Sequence, residues 1–169
     1  MMVAAVAAIL DRDLRALARE VMAYPDERAL WITPSGITNS GGTLALHLVG
    51  NIRHYLGARL GGTGFVRDRP AEFATREVPR SVILDQIEEA RAAVRAAAAN
   101  VGEESLNHDF PEVVGGARVA TGEYLIHLVS HFTYHLGQLD YHRRVVSGDD
   151  RGIDAVRAAE LGTARPVAD

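Results

Sequence analysis

Six of the seven histidines in this chain of 169 residues fall in two short windows, 47–54 and 127–142. Three of them, His127, His131 and His135, stand at four-residue steps in Tyr124-Leu-Ile-His-Leu-Val-Ser-His-Phe-Thr-Tyr-His-Leu-Gly-Gln138. Residues four apart on a helix point the same way. Two neighbours in this series can therefore ligate one metal ion from a single helix, while a partner helix supplies the next donor. His47 is read as that donor. The outer members, His127 and His135, are two turns, about 12 Å of rise, apart along the axis and cannot both serve the same ion. The pair is thus 127/131 or 131/135, and spacing leaves the choice open. A His-x-x-x-His pair on an otherwise apolar helix is costly to bury without a shared purpose. Taken singly, His127, His54 and His142 read as core or surface histidines satisfied by their neighbours.

Three neutral imidazoles leave the double charge of an ion uncompensated, and three protein ligands leave a coordination position open. A water or thiol in that position loses its proton more easily, and for zinc the water pKa falls to about 7. Two chemistries follow: transfer of a low-molecular-weight thiol onto an electrophile, and hydrolysis. No glutamate stands where a His-Glu-x-x-His motif carries its general base. His127, one turn before His131, is the candidate proton shuttle, joined by Tyr55 or Tyr134 if either faces inward. Gln138 lies three residues after His135 and Asn51 four after His47, so each can sit beside a ligand and orient it. His54 belongs to the same set of neighbours. Arg67 and Arg69 could clamp a substrate carboxylate or phosphate. The expectation for that run, however, is a solvated loop paired with its own Asp68 and Glu72.

The chain has no cysteine, so thiolate ligands, disulfides and thiol nucleophiles are all excluded. All 18 basic residues are arginine, which removes lysine Schiff-base chemistry as well. Net charge is −4 with acids and arginines interspersed, and no basic patch stands out that would neutralise nucleic-acid phosphates. Imidazole donors suit zinc, nickel, copper and iron; zinc or nickel is named here, at one ion per chain. A di-iron site would need several helical carboxylates with repeated Glu-x-x-His pairs. Glu123 precedes His127 by four residues and has no second copy.

These side chains need helices to position them. Val6, Ile9, Leu10, Leu14, Leu17 and Val21 recur at helical spacing, giving a first amphipathic helix that ends at Tyr24-Pro25. Its apolar opening lacks the positive flank of a signal peptide and is read as helix. Residues 26–39 form a connection with Trp31 anchored in the core. A second helix starts at an Asn39-Ser40 cap and runs to about Leu60, with Leu44, His47, Leu48, Asn51, Ile52, Tyr55 and Leu56 on one stripe. Arg67 to Phe73 is expected as a long loop. A third helix runs from Pro79-Arg-Ser81 to Asn100, with Val82, Ile83, Ile87, Ala90 and Val94 inward. Residues 103–120 make a loop or short hairpin. Thr121 caps a fourth helix, from Gly122 to about Val146, and a short helix near Asp154 to Leu161 closes the chain. The expected architecture is all-α: a four-helix bundle with long crossover loops and a short extra C-terminal helix, in one domain spanning 1–169. No apolar run reaches the roughly 20 residues a bilayer needs, so a soluble, cytoplasmic protein is expected.

The segment His131-Phe-Thr-Tyr-His135-Leu-Gly-Gln138, preceded by His127-Leu-Val-Ser, resembles the last-helix signature of the DinB/YfiT-like superfamily of helical-bundle metalloproteins. Leu44-Ala-Leu-His47-Leu-Val-Gly-Asn51 resembles its second-helix signature, and Asn51 with Arg67-Asp-Arg69-Pro-Ala-Glu72-Phe73 is similar to an uncharacterised branch. The resemblance implies a metal held by His47, His131 and His135, a homodimer, and, from several relatives, metal-assisted thiol transfer to a small-molecule substrate. The rival reading is a non-catalytic dimeric helical module with a structural or vestigial metal site.

Overall fold

The computed structural model describes residues 1–167 and is all-helical, with five α-helices and no strand among those residues. Helix α1 spans Met2–Ala23 and buries Val3, Val6, Leu10, Leu14, Leu17 and Val21 along one stripe. Tyr24 is extended, as the residue before a proline must be, and this ends the helix. A single 3₁₀ turn, Ala29–Trp31, then brings Trp31 against the core.

Helix α2, Gly41–Ile52, starts on Ser40, whose hydroxyl accepts from the Thr43 amide at 3.2 Å. Every one of its residues is buried, so it runs through the middle of the molecule. Two glycines open it for steric reasons. A Cβ on Gly41 would lie 2.1 Å from the Tyr24 hydroxyl, and one on Gly42 would lie 2.6 Å from the Trp31 ring. The segment Arg53–Leu60 prolongs α2 to the expected end, but as π-helix, closed by the Gly61 amide donating five residues back to Leu56 at 2.7 Å. Such wide turns are frequent at functional sites.

Residues expected as a loop contain a short helix, α3, Arg69–Ala74. Asp68 caps it by accepting from the Ala71 amide, and Pro70 occupies the first turn, where its missing N–H has no cost. Helix α4, Arg80–Asn100, buries Ile83, Ile87, Ala90, Ala93, Val94 and Ala97. Val82, expected inward, is exposed. Its alanines let the π-helical segment approach closely: a Cβ on Gly57 would come within 2.9 Å of Ala93 Cβ.

Between α4 and the last helix the chain makes a 3₁₀ turn, Glu103–Asn107, and then a small hairpin-like reversal held by two isolated bridges, Asp109 with Ala120 and Val114 with Ala117. Gly115 and Gly116 form its tip, both with positive φ (58° and 82°), as a type I′ turn requires. Helix α5, Thr121–Ser147, is the longest. Thr121 is its first residue rather than its cap, because the Thr121 hydroxyl donates to the His108 carbonyl instead. Gly148, left-handed at φ 68°, ends the helix.

The short C-terminal helix expected over Asp154 to Leu161 is reduced to a 3₁₀ turn, Ala158–Glu160. Asp154 has a left-handed φ of 47°. The carbonyls of Asp154 and Ala155, which a helix would use internally, accept instead from Arg157 and Arg19. Helices α1, α2, α4 and α5 share one cluster of buried apolar residues. No described helix is long and apolar enough to cross a membrane.

Candidate metal centre

His47 on α2 faces His131 and His135 on α5 across the interior. One ring nitrogen from each lies within 4.8 Å of the other two, and the group can hold a metal ion. Ring centroids are 5.2 Å apart for His47 with His131, 5.2 Å for His47 with His135, and 4.6 Å for His131 with His135. The structure thus brings together the 131/135 pair with His47.

The nitrogens are presented in the state a metal needs. His47 donates its Nδ1–H to Glu72 Oε2 at 3.0 Å, which leaves a lone pair on Nε2. His135 likewise donates Nδ1–H to Gln138 Oε1 at 2.7 Å. The Nε2 atoms of His47 and His131 are 3.3 Å apart. Two nitrogens each about 2.0–2.1 Å from a tetrahedral zinc ion lie about 3.4 Å apart, so the observed spacing fits such an ion. Burial, followed by the nearby charges of His135, His47 and His127, pushes the pKa of His131 down to about 4. Burial lowers His135 as well, although its bond to Gln138 works the other way. Both rings are therefore neutral, ligand-ready imidazoles at neutral pH. Of the three convergent rings, only His131 has its Nδ1 buried without a partner.

The carboxylate behind His47 belongs to a larger arrangement. Arg67 grips Glu72 with two parallel bonds, Nε to Oε1 at 2.6 Å and Nη2 to Oε2 at 2.8 Å. Burial alone would raise the carboxyl pKa of Glu72, but hydrogen bonds from Arg67 and His47 outweigh it and hold the group ionised. Gly50 makes room for this carboxylate. A Cβ there would sit 2.0 Å from Glu72 Oε1. Arg67 was expected on a solvated loop. It does pair with Glu72, but its side chain is only 8% exposed, because α3 folds back over α2. Asp68 is occupied as the cap of α3 and not as an ion-pair partner of Arg67.

A cavity of about 670 Å³ opens beside the three imidazoles. Asn51, Tyr55, Arg67, Arg69 and His127 line it with the ligand set, as do Phe73, Glu123 and Tyr124. His127 stacks on Tyr124 at 5.5 Å and lies 6.1 Å from the His131 ring, outside the ligand cluster but facing the same space. Arg69 lies over the Phe73 ring at 5.1 Å. Val114, Gly115 and Val119 of the hairpin-like reversal form another part of the wall.

Two expected neighbours lie elsewhere. His54 is not among the lining residues; it pairs with Glu112 Oε2 at 3.0 Å, which also bonds Arg59 and so ties the π-helical segment to the reversal. Tyr134 points outward, 65% exposed, and does not line the cavity. His142 is a buried core histidine bonded to the Tyr24 hydroxyl at 2.7 Å and to the Ile32 carbonyl at 2.8 Å. Sequence reasoning missed the contact of Glu72 with His47. The available signal was Asp68-Arg-Pro-Ala, a capping residue with proline just inside a helix start, which would have placed Glu72 on a helix.

No family model, curated protein or solved structure matches the chain.

Proposed function

We propose that this protein is a divalent-metal-dependent enzyme of DinB/YfiT-like type, acting on a small molecule by thiol transfer or hydrolysis. The observation that carries the reading is the convergence of His47, His131 and His135 at the edge of an open cavity. A structural ion is normally closed by four protein ligands, whereas a catalytic one keeps a free position. Among the described residues three donors converge, and the space beside them is large enough for a substrate.

Zinc or nickel suits the imidazole donors, and such an ion would supply Lewis acidity that lowers the pKa of a thiol or water. The chain's own groups do the rest. Glu72, held by Arg67, keeps the His47 lone pair turned inward, and Gln138 does the same for His135. His127 lines the cavity, which supports a role for it in taking up and returning a proton. Tyr124, kept protonated chiefly by burial and then by its hydrogen bond with Tyr55, does not act as a base there. The homodimer implied by the resemblance belongs to the same proposal.

The test is elemental analysis of protein purified without a histidine tag, wild type against His131→Ala. About one equivalent of zinc or nickel per chain, lost in the variant without loss of the helical fold, is the expected result. Wild-type protein that neither carries metal nor takes it up on reconstitution overturns the reading. With metal established, thiol-transfer and hydrolysis substrates are screened against the same pair.

A further inference from the structure

Arg67 has more donors than Glu72 uses. The carboxylate occupies Nε and Nη2, while Nη1 has no acceptor among the described residues yet is not sealed from open space. The space that Arg67 lines is the cavity beside the histidines. Two phenols that line the same cavity stand near this guanidinium. The Tyr55 ring centroid is 5.7 Å from the guanidinium carbon, and Tyr124 packs edge-on against Tyr55 at 5.2 Å. Among the described residues Glu123 is the one acid lining the cavity, and it is exposed. Arg69, also lining the cavity, has no carboxylate partner among the described residues. Arg67 Nη2 approaches His47 Nδ1 to 3.4 Å, so the guanidinium stands beside the imidazole whose other nitrogen faces His131.

We propose that the cavity binds its substrate through a carboxylate, seated on Arg67 Nη1 and the Tyr124 hydroxyl with the reacting end toward His47, His131 and His135. The inference rests on the metal-centre reading only for the position of the reacting end. The shared chemistry is that of an oxyanion, for which carboxylate and phosphate are the two sources. Carboxylate fits better because a single nitrogen of Arg67 is free and much of the remaining wall is apolar, including Leu44, Phe73, Val114 and Val119. Glu72 has a second consequence here: by holding the other edge of Arg67, it fixes the plane and direction of the free N–H groups.

The experiment is an NMR titration of metal-free protein with butyrate and phenylacetate, their primary amides, and inorganic phosphate. Both carboxylates are expected to bind about tenfold tighter than their amides, as a charge-assisted bond requires. Arg67→Met should abolish this preference and Tyr124→Phe should reduce it severalfold. Arg67→Lys, which retains a charge against Glu72, covers the case in which the methionine variant does not fold, and it too should lose most of the preference. Equal binding of carboxylate and amide, or an unchanged preference in the folded Arg67 variants, overturns the inference. Phosphate binding tighter than both carboxylates overturns the carboxylate assignment. Metal uptake without any carboxylate preference refutes this inference and spares the metal centre. Carboxylate preference in a chain that takes up no metal does the reverse.

Discussion

Glu72 joins two functions at one side chain: its carboxylate accepts the Nδ1–H of His47 and is itself gripped by Arg67. Carboxylates behind metal-binding histidines fix the ring orientation and raise its basicity. Glu72→Gln is therefore expected to weaken zinc binding about 10- to 100-fold with little change in helix content. Competition against a chromophoric chelator measures this, and an unchanged affinity would remove Glu72 from the centre. Gln138 has the equivalent position behind His135, and its spacing three residues after the ligand made that contact legible from one helix alone. The contact of Glu72 was not legible in this way, because 25 residues separate it from His47 and only the packing of α3 on α2 brings them together.

At the scale of elements, α3 sits on α2 where Gly50 leaves a gap. In a helix interior, glycine to alanine ordinarily stabilises by about 0.5–1 kcal/mol. Gly50→Ala should do the opposite, since the new methyl would meet Glu72 Oε1 at 2.0 Å. A lower urea midpoint together with weaker metal binding is the expected outcome; a gain in stability would show that α3 moves aside without cost. Helices α1, α4 and α5 were readable from apolar periodicity because each presents a continuous buried stripe, whereas α2, buried on every side, was readable from its serine cap and its run of apolar residues. Helix α3 has six residues, too few for any period, and only its cap announced it. The C-terminal segment failed for the converse reason: its composition permits a helix, but Arg19 of α1 binds its Ala155 carbonyl. The π-helical turns of 53–60 were also invisible, since their register depends on how closely α4 approaches Gly57 and Gly61.

Across the whole molecule, polar groups sealed in the core tie α1 to α5. Arg143, 2% exposed, donates from Nε to Glu20 Oε2 at 2.7 Å and from Nη2 to Asp140 at 3.0 Å. Arg143→Ala leaves the Glu20 carboxylate buried without its cation and should cost about 3–5 kcal/mol. The double variant Glu20→Met, Arg143→Met should recover more than half of that in chemical denaturation. If the double variant is as unstable as the single one, packing and not charge holds the pair. His142 sets a pH dependence. Burial lowers its pKa below the ordinary 6.5, although the Ile32 carbonyl opposes this. The unfolded chain therefore takes up this proton first as pH falls. The stability that the neutral ring contributes is complete above about pH 6.5 and is lost as pH falls toward the depressed value. Denaturation midpoints of metal-free protein between about pH 7.5 and 5 should fall more gently for His142→Asn than for wild type. Parallel curves would assign the pH dependence to other groups.

The sequence by itself determined the helical class, the four long helices and the candidate ligands, because periodicity and four-residue histidine spacing are properties of single helices. Tertiary structure decided which of seven histidines meet. His47 and His131 are 84 residues apart and come within 3.3 Å only when α2 runs buried beside α5. It also decided that Arg67 and Glu72 leave solvent and stand behind His47, while His54 turns to Glu112. These outcomes depend on contacts between elements, such as the gap at Gly50 and the wide turn after Ile52, and no local pattern encodes them.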